Sequence, residues 1–227
     1  MWHEAALMAC AYLIGSFPLL WIMARMRGVG LHKEEDFHIA VWHRVGRPQG
    51  AIGIIGDFAK GVLVVFGSRA LGFDLVWVAL AGLAAVVGQM WPIFLGFDGE
   101  KGNSIGLATA GSLAPWALFI SLVPIALGAA VRTIPRLRDR SKSADERLKF
   151  GGPPSNSLPL GMLVGFSVLP LVAWGLGYPP QIYWVFVGLV FAILLRRLTA
   201  HVRRDLRVAA RKREVFINRA LYDRSFL

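Results

Sequence analysis

Asp57 and Lys60 stand three residues apart in the string Gly-Asp-Phe-Ala-Lys-Gly at 56–61, inside a run that is otherwise apolar. That spacing puts both side chains on one helix face, where they can pair. Charges at membrane depth are expensive and mark functional sites, while a buried ion pair can equally fix helix register. Both roles stay open for Asp57 and Lys60 as candidate catalytic residues. A second constellation is Gly-Phe-Asp-Gly-Glu-Lys-Gly-Asn-Ser-Ile-Gly at 96–106, with four glycines in eleven residues. Glycine lets backbone N–H groups turn toward an anion, and the start of a helix adds partial positive charge. Gly99 and Gly102 would shape the turn, Lys101 would supply the counter-charge, and Asn103 or Ser104 would cap the helix that follows. The chemistry that fits is phosphate binding at a membrane surface, with Asp98 and Glu100 working against it.

The third region, residues 25–49, holds His32, His38 and His43 among Glu34, Glu35 and Asp36. The spacing matches no established ligand set, so no metal is expected and the segment reads as a solvated juxtamembrane loop. Arg44 and Arg47 are candidate anion contacts, because a guanidinium can grip an oxyanion with two parallel bonds. No nucleophile–base pair and no cofactor motif is evident, and Cys10 reads as packing in an apolar segment.

These residues must be positioned by membrane helices. The chain has 227 residues, 56% of them apolar and 17% charged, with a mean hydropathy of +0.54. A soluble domain carries about 25% charged residues, so this composition excludes an ordinary soluble globule. The single cysteine excludes an internal disulfide framework, and eight tryptophans with fourteen phenylalanines exclude disorder. Charge-free runs cover 5–24, 75–97, 102–131 and 150–195, and the weaker run 50–68 contains only Asp57 and Lys60. The first run is followed, not preceded, by Arg25 and Arg27, so it reads as a span rather than a leader. Tyr178-Pro179-Pro180 breaks the last run in two.

The net charge of +11 is local: residues 132–149 carry +4, residues 196–227 carry +7, and the rest is neutral. Basic clusters beside spans mark the cytoplasmic side, and no groove-reading motif supports nucleic acid. Keeping both clusters inside requires a hairpin near Pro115, with two short crossings between 102 and 131. The expectation is an all-α polytopic bundle of about seven transmembrane helices, N-terminus out and C-terminus in, over residues 1–197 with a basic insertion at 132–149. Residues 198–227 form a basic cytoplasmic tail. Leu198, Val202, Leu206 and Ala209 alternate there with Arg203, Arg204, Arg207 and Arg211, as in an amphipathic helix lying on anionic headgroups.

Several strings resemble the bacterial acyl-phosphate:glycerol-3-phosphate acyltransferases, integral membrane enzymes of phospholipid synthesis. Residues 11–18, Ala-Tyr-Leu-Ile-Gly-Ser-Phe-Pro, resemble the family's opening string. Residues 46–61, with Gly50, Asp57, Lys60 and Gly61, resemble its second span. Residues 88–102, Gly-Gln-Met-Trp-Pro-Ile-Phe-Leu-Gly-Phe-Asp-Gly-Glu-Lys-Gly, resemble its glycine-rich signature, with Gly99, Lys101 and Gly102 matching by position. Gln89 stands where the family has histidine, Asp98 where it has lysine and Glu100 where it has glycine. Residues 32–40 replace the loop that holds glycerol phosphate, and only His201 remains of its C-terminal histidine string. The resemblance implies a multi-pass protein of the bacterial plasma membrane that moves an acyl group from acyl phosphate to glycerol 3-phosphate, giving lysophosphatidate. It implies acyl-phosphate binding at Gly99, Lys101 and Gly102. The alternative is a non-catalytic membrane protein of the same fold that binds lipid or a partner.

Overall fold

The structure is a computed structural model describing residues 2–31, 34, 36–141, 143, 146–147, 155–200, 202–209 and 211–224. His32, Lys33, Glu35, His201 and most of the basic insertion beyond Ser141 lie outside the described residues. The described elements are helical throughout: α1 (Trp2–Ser16), α2 (Leu19–Met26), α3 (Phe37–Arg44), α4 (Arg47–Ala70), α5 (Leu75–Met90), a 3₁₀ turn (Ile93–Leu95), α6 (Asn103–Leu113), α7 (Pro115–Arg138), α8 (Ser157–Gly175), α9 (Pro180–Thr199), α10 (Val202–Val208) and α11 (Lys212–Tyr222).

Six segments are long and apolar enough to cross a membrane, with α1 and α2 forming one of them, Trp2–Met26. Their outer faces carry Leu63, Phe66, Phe119, Leu171 and Phe191, all exposed, as expected for surfaces that meet lipid rather than water. The break at Pro115 is present, but the two short crossings are not. α6 has 11 residues, about 16 Å of rise at 1.5 Å per residue, against a hydrocarbon core of about 30 Å. α7 is full length at 24 residues. The asymmetry has a packing cause. Ile105, Ala108, Ala110 and Leu113 of α6 are buried among the other helices, so α6 never has to satisfy lipid along a whole span.

Small residues set the helix spacing. A Cβ at Gly15 of α1 would lie 1.9 Å from the Ala85 carbonyl oxygen of α5, and one at Gly88 would lie 2.2 Å from the Tyr12 carbonyl oxygen. Backbone meets backbone along the α1–α5 contact, the close approach that small residues permit in membranes. Gly61 does the same between α4 and α6, and Gly128 with Gly161 between α7 and α8. Successive helices therefore bring the ends of α1, α5 and α9 and the starts of α6 and α8 to one end of the bundle.

Beyond that end lies a second layer. α1 stops at Ser16 because Pro18 has no N–H to continue the helix and disfavours helical geometry at Phe17. α2 then starts afresh. Leu20 and Ala24 of α2 form a small separate core with Leu31 and with Ala40 and Val41 of α3. Residues 37–44 are thus a docked helix rather than the solvated loop that composition suggests. Asp36 starts it by accepting the Ile39 N–H at 3.1 Å, a regular N-cap. We expect Gly15→Val to lower the melting temperature of the detergent-solubilised protein by roughly 3–10 °C, from overpacking alone. Gly67→Ala, where a Cβ meets nothing within 4 Å, should leave it within a degree or two, roughly the scale of surface changes.

Candidate active site

At the shared end of the helices, Asp57 is 3% exposed. A carboxylate so placed has to be met by donors, and three elements supply them. Lys60 Nζ lies 2.7 Å from Oδ1, one helical turn on. Gln89 Nε2 donates to Oδ2 at 2.7 Å from the end of α5. His38 Nε2 lies 3.0 Å from the same oxygen, from the first turn of α3. Lys60 also donates to the Phe17 carbonyl at 2.7 Å, the acceptor freed where Pro18 interrupts the first span. Asp57 and Lys60 are therefore the ion pair their spacing predicted, and they are also the hub that ties α1, α3, α4 and α5 together.

Glu100 completes the cluster. Its Oε2 accepts from Gln89 Nε2 at 3.0 Å, and its Oε1 faces His38 Nδ1 at 3.6 Å. Burial drives the Glu100 carboxyl up to about 8; the His38 charge opposes the shift, and the Asp57 and Asp36 charges add to it. Burial alone would lower His38, but the carboxylates of Glu100, Asp57 and Asp36 outweigh it and raise the imidazole to about 9. His38 is thus charged at neutral pH. His38, Asp57 and Glu100 offer ligand atoms within 4.8 Å of one another, a spacing that could hold a metal ion. Lys60 donates to one Asp57 oxygen and Gln89 to the other.

The glycine-rich loop folds differently from a free phosphate cradle. The Gly99 N–H donates to the Met90 carbonyl at 3.3 Å and the Glu100 N–H to the Gln89 carbonyl at 3.1 Å. These two N–H groups fasten the loop to the end of α5 and are not turned toward an anion. Gly99 is required there, since a Cβ would lie 2.3 Å from the Gln89 carbonyl oxygen. Gly102 opens α6 with φ of 74°, a conformation that favours glycine. Gly102, Asn103 and Ser104 then line a cavity of about 100 Å³ together with His38, Glu100 and Lys101. No side-chain cap bond from Asn103 or Ser104 forms; Gly102 itself is the N-cap. Asp98 does not repel an anion unaided, because Arg196 Nη2 holds it at 2.7 Å.

Two expectations need correction. Lys101 is not an open cation: its Nζ lies 2.6 Å from Asp223 Oδ2. Arg44 and Arg47 are not gathered at the site. Arg44 pairs with Glu34 near the surface, and Arg47 is exposed in the first turn of α4, about 15 Å along the helix from Asp57 at 1.5 Å per residue. The cations that do converge come from distant sequence. Arg132, Arg197 and Arg224 line a cleft of about 440 Å³ with Lys101 and Asn103. The tail brings Arg224 there because it is folded rather than laid out as one amphipathic helix. α9 ends at Thr199, and α10 and α11 follow as separate helices. Arg219 and Asp205 form a buried pair between them, and Arg197 donates to the Ala220 and Leu221 carbonyls at 3.0 and 3.4 Å. Sequence reasoning missed His38 and Glu100 as members of one cluster. The available signal was Asp36, whose capping of a short helix fixes where His38 sits.

The sequence family described as glycerol-3-phosphate acyltransferase matches residues 5–207. The chain belongs to that family. A glycerol-3-phosphate acyltransferase of Geobacter metallireducens is 38% identical over 120 residues, 52% of this chain and 62% of the relative. The chain thus spans under two thirds of that relative's length. One from Roseiflexus sp. is 32% identical over 201 residues, covering 86% of this chain and 89% of the relative. The crystal structure of PlsY, an integral membrane glycerol 3-phosphate acyltransferase, matches with a TM-score of 0.66 at 22% identity, over 91% of this chain and 93% of PlsY. That likeness is one of fold. α11 lies beyond the matched region. We expect Arg219→Met to loosen the tail by removing one partner of the buried Asp205 carboxylate, read as early protease cleavage after α9 at temperatures where the bundle stays folded.

Proposed function

We propose that the acyltransferase passes an acyl group from acyl phosphate to the sn-1 hydroxyl of glycerol 3-phosphate. The observation that carries this reading is the meeting of two unlike cavities at one polar cluster. One is a groove lined by Phe17, Leu19, Leu20, Trp21 and Leu95, and it reaches Asp57 and Lys60. Its apolar walls suit an acyl chain entering from the lipid side. The other is the cleft of about 440 Å³, whose lining includes the cations Lys101, Arg132, Arg197 and Arg224 and the carboxylates Asp36 and Asp223. The surplus of cations matches a phosphate monoester carrying about −1.5 to −2. A third cavity lies between them, sharing Phe37 and Glu100 with the groove and Asp36, Lys101 and Asn103 with the cleft.

The reaction needs no covalent enzyme intermediate. The acceptor oxygen bonds to the acyl carbonyl carbon, the bond from that carbon to the phosphate oxygen breaks, inorganic phosphate leaves, and the hydroxyl proton goes to a base. Holding two phosphorylated reactants in register supplies much of the acceleration, and fixed cations offset their mutual repulsion. Crystal structures of PlsY include a glycerol 3-phosphate form and a lysophosphatidic acid form, which supports the same substrate and product here.

The membrane orientation follows from charge. Arg25, Arg27, Arg44, Arg47, Arg136, Arg138 and the cleft cations all lie at the site end, whereas the turn between α4 and α5 carries Arg69 and Asp74. The positive-inside rule puts the site end in the cytoplasm, the N-terminus outside and α6 as a seventh, shortened crossing. The bacterial plasma membrane is the setting that fits. The exposed Phe216 and Ile217 beside Arg211, Lys212 and Arg213 of α11 give the tail an apolar and basic edge suited to anionic headgroups. The test is turnover of acyl phosphate by the purified full chain with glycerol 3-phosphate. We expect Arg132→Gln to raise KM for glycerol 3-phosphate about tenfold or more, the scale of one lost charge-assisted contact, with KM for acyl phosphate unchanged. Changing Arg44 and Arg47 together to Ala should alter neither; a raised acceptor KM in that variant would move the acceptor site to α3 and the start of α4.

A further inference from the structure

We propose that the tail carries an internal competitor for phosphate: Asp223 occupies Lys101, and a substrate phosphate has to displace it in order to bind there. The inference rests on the acyltransferase reading above only in taking Lys101 as a cation that meets substrate phosphate. Lys101 borders three cavities. They are the cleft of about 440 Å³, the cavity of about 100 Å³ beside Glu100, and one of about 90 Å³ whose lining includes Trp21, Phe37, Arg196 and Arg219. Asp223 borders the first and the last of them. Its Oδ2 lies 2.6 Å from Lys101 Nζ, and its charge also bears on Arg197 of the cleft. An anion entering from either cavity therefore meets the lysine with a carboxylate already on it.

The tail does not depend on this contact for its place. Arg219 and Asp205 form a buried pair, Arg197 donates to the Ala220 and Leu221 carbonyls at 3.0 and 3.4 Å, and Val215 is buried on the docked face of α11. These anchors all precede Asp223, the residue that caps α11, so releasing its carboxylate needs movement at the last turn alone. The pair is also open on its lysine side. The Lys101 side chain is 35% exposed, and ion pairs in contact with water are weak. A phosphate monoester brings about −1.5 to −2 charges against the single charge of a carboxylate. The cleft is lined by four cations and two carboxylates; displacing Asp223 leaves one carboxylate against the four.

Only the fraction of molecules in which Asp223 has left Lys101 binds phosphate at full strength, so the apparent affinity is lowered by that fraction. The coupling is reciprocal. Phosphate at Lys101 loosens the last turn of α11 by the same factor by which the docked carboxylate weakens phosphate. A carboxylate that merely positioned Lys101 would act in the opposite sense, because its removal would leave the lysine misplaced and phosphate binding weaker. The sign of the effect therefore separates a competitor from a strut.

The test measures inorganic phosphate binding to the full chain in detergent, at fixed ionic strength, for wild type, Asp223→Asn, Lys101→Gln and the double variant. Asp223→Asn should bind phosphate about fivefold more tightly or better, the lower end of coupling between sites. In the Lys101→Gln background the same change should give no gain. Hydrogen exchange at residues 220–224 of the wild type should quicken as phosphate is added, and in Asp223→Asn it should not respond. In turnover assays Asp223→Asn should lower KM for glycerol 3-phosphate or for acyl phosphate by a similar factor, and the one that falls identifies the substrate whose phosphate the tail opposes. Equal or weaker phosphate binding by Asp223→Asn overturns the proposal, as does a gain that persists without Lys101. If Asp223→Asn does not fold, exchange at 220–224 of the wild type that ignores phosphate overturns it alone. A wild-type protein that shows the phosphate coupling yet consumes no acyl phosphate fails the acyltransferase reading and leaves the competitor standing.

Discussion

A carboxylate buried inside a helix bundle has to be satisfied, and Asp57 is the carboxylate on which this structure turns. Its oxygens meet Lys60, Gln89 and His38, which arrive from α4, α5 and α3. Lys60 in turn reaches the carbonyl left open where Pro18 ends the first helix. Removing any one of these would leave a polar group without water to replace its partner, which costs more than the bond itself contributes. The ends of α1 and α5 and the docking of α3 are therefore set by the same requirement that assembles the chemistry.

Close packing makes that convergence possible. Glycines at α1–α5, α4–α6 and α7–α8 let backbones approach until a methyl group would collide with a carbonyl. Short side chains at those contacts leave the polar ones to gather at the helix ends, where the loop 96–102 can fold back on α5. Its backbone N–H groups go to the Met90 and Gln89 carbonyls, so the loop spends its hydrogen bonds on rigidity. On the proposed reading, recognition of anions falls instead to side-chain cations and to the start of α6.

Those cations are assembled by the tail. Arg196 steadies Asp98 and the Gly99 carbonyl, and Arg197 holds the carbonyls of Ala220 and Leu221. Asp223 lies against Lys101. The segment from 208 onward, beyond the region matched to the family, thus forms one wall of the cationic cleft. Asp223 occupies one of the directions from which an anion could approach Lys101. On the proposed reading, a phosphate that binds Lys101 has to compete for it with that carboxylate.

Much of the fold was legible in the residues themselves. The charge-free runs, the break at Pro115 and the Tyr178-Pro179-Pro180 break follow from solvation and proline geometry, which are local properties. So does the pairing of Asp57 with Lys60, because one helical turn brings them together. The same holds for Gly99 and Gly102 as required turn residues. What sequence could not order is what lies far apart along the chain. The cluster of His38, Gln89 and Glu100, the pairing of Lys101 with Asp223 and the cleft built from Arg132, Arg197 and Arg224 all depend on which helix ends share a level in the bundle. Periodicity and composition carry no information on that level; it is set by backbone contacts at Gly15, Gly61, Gly88, Gly128 and Gly161. Arg44 and Arg47 show the converse. They are close to the site in sequence, yet the length of α4 carries Arg47 away from it and Glu34 holds Arg44 near the surface. Proximity in sequence proposed Arg44 and Arg47 as anion contacts, and helix packing gathers Arg132, Arg197 and Arg224 around one cleft instead.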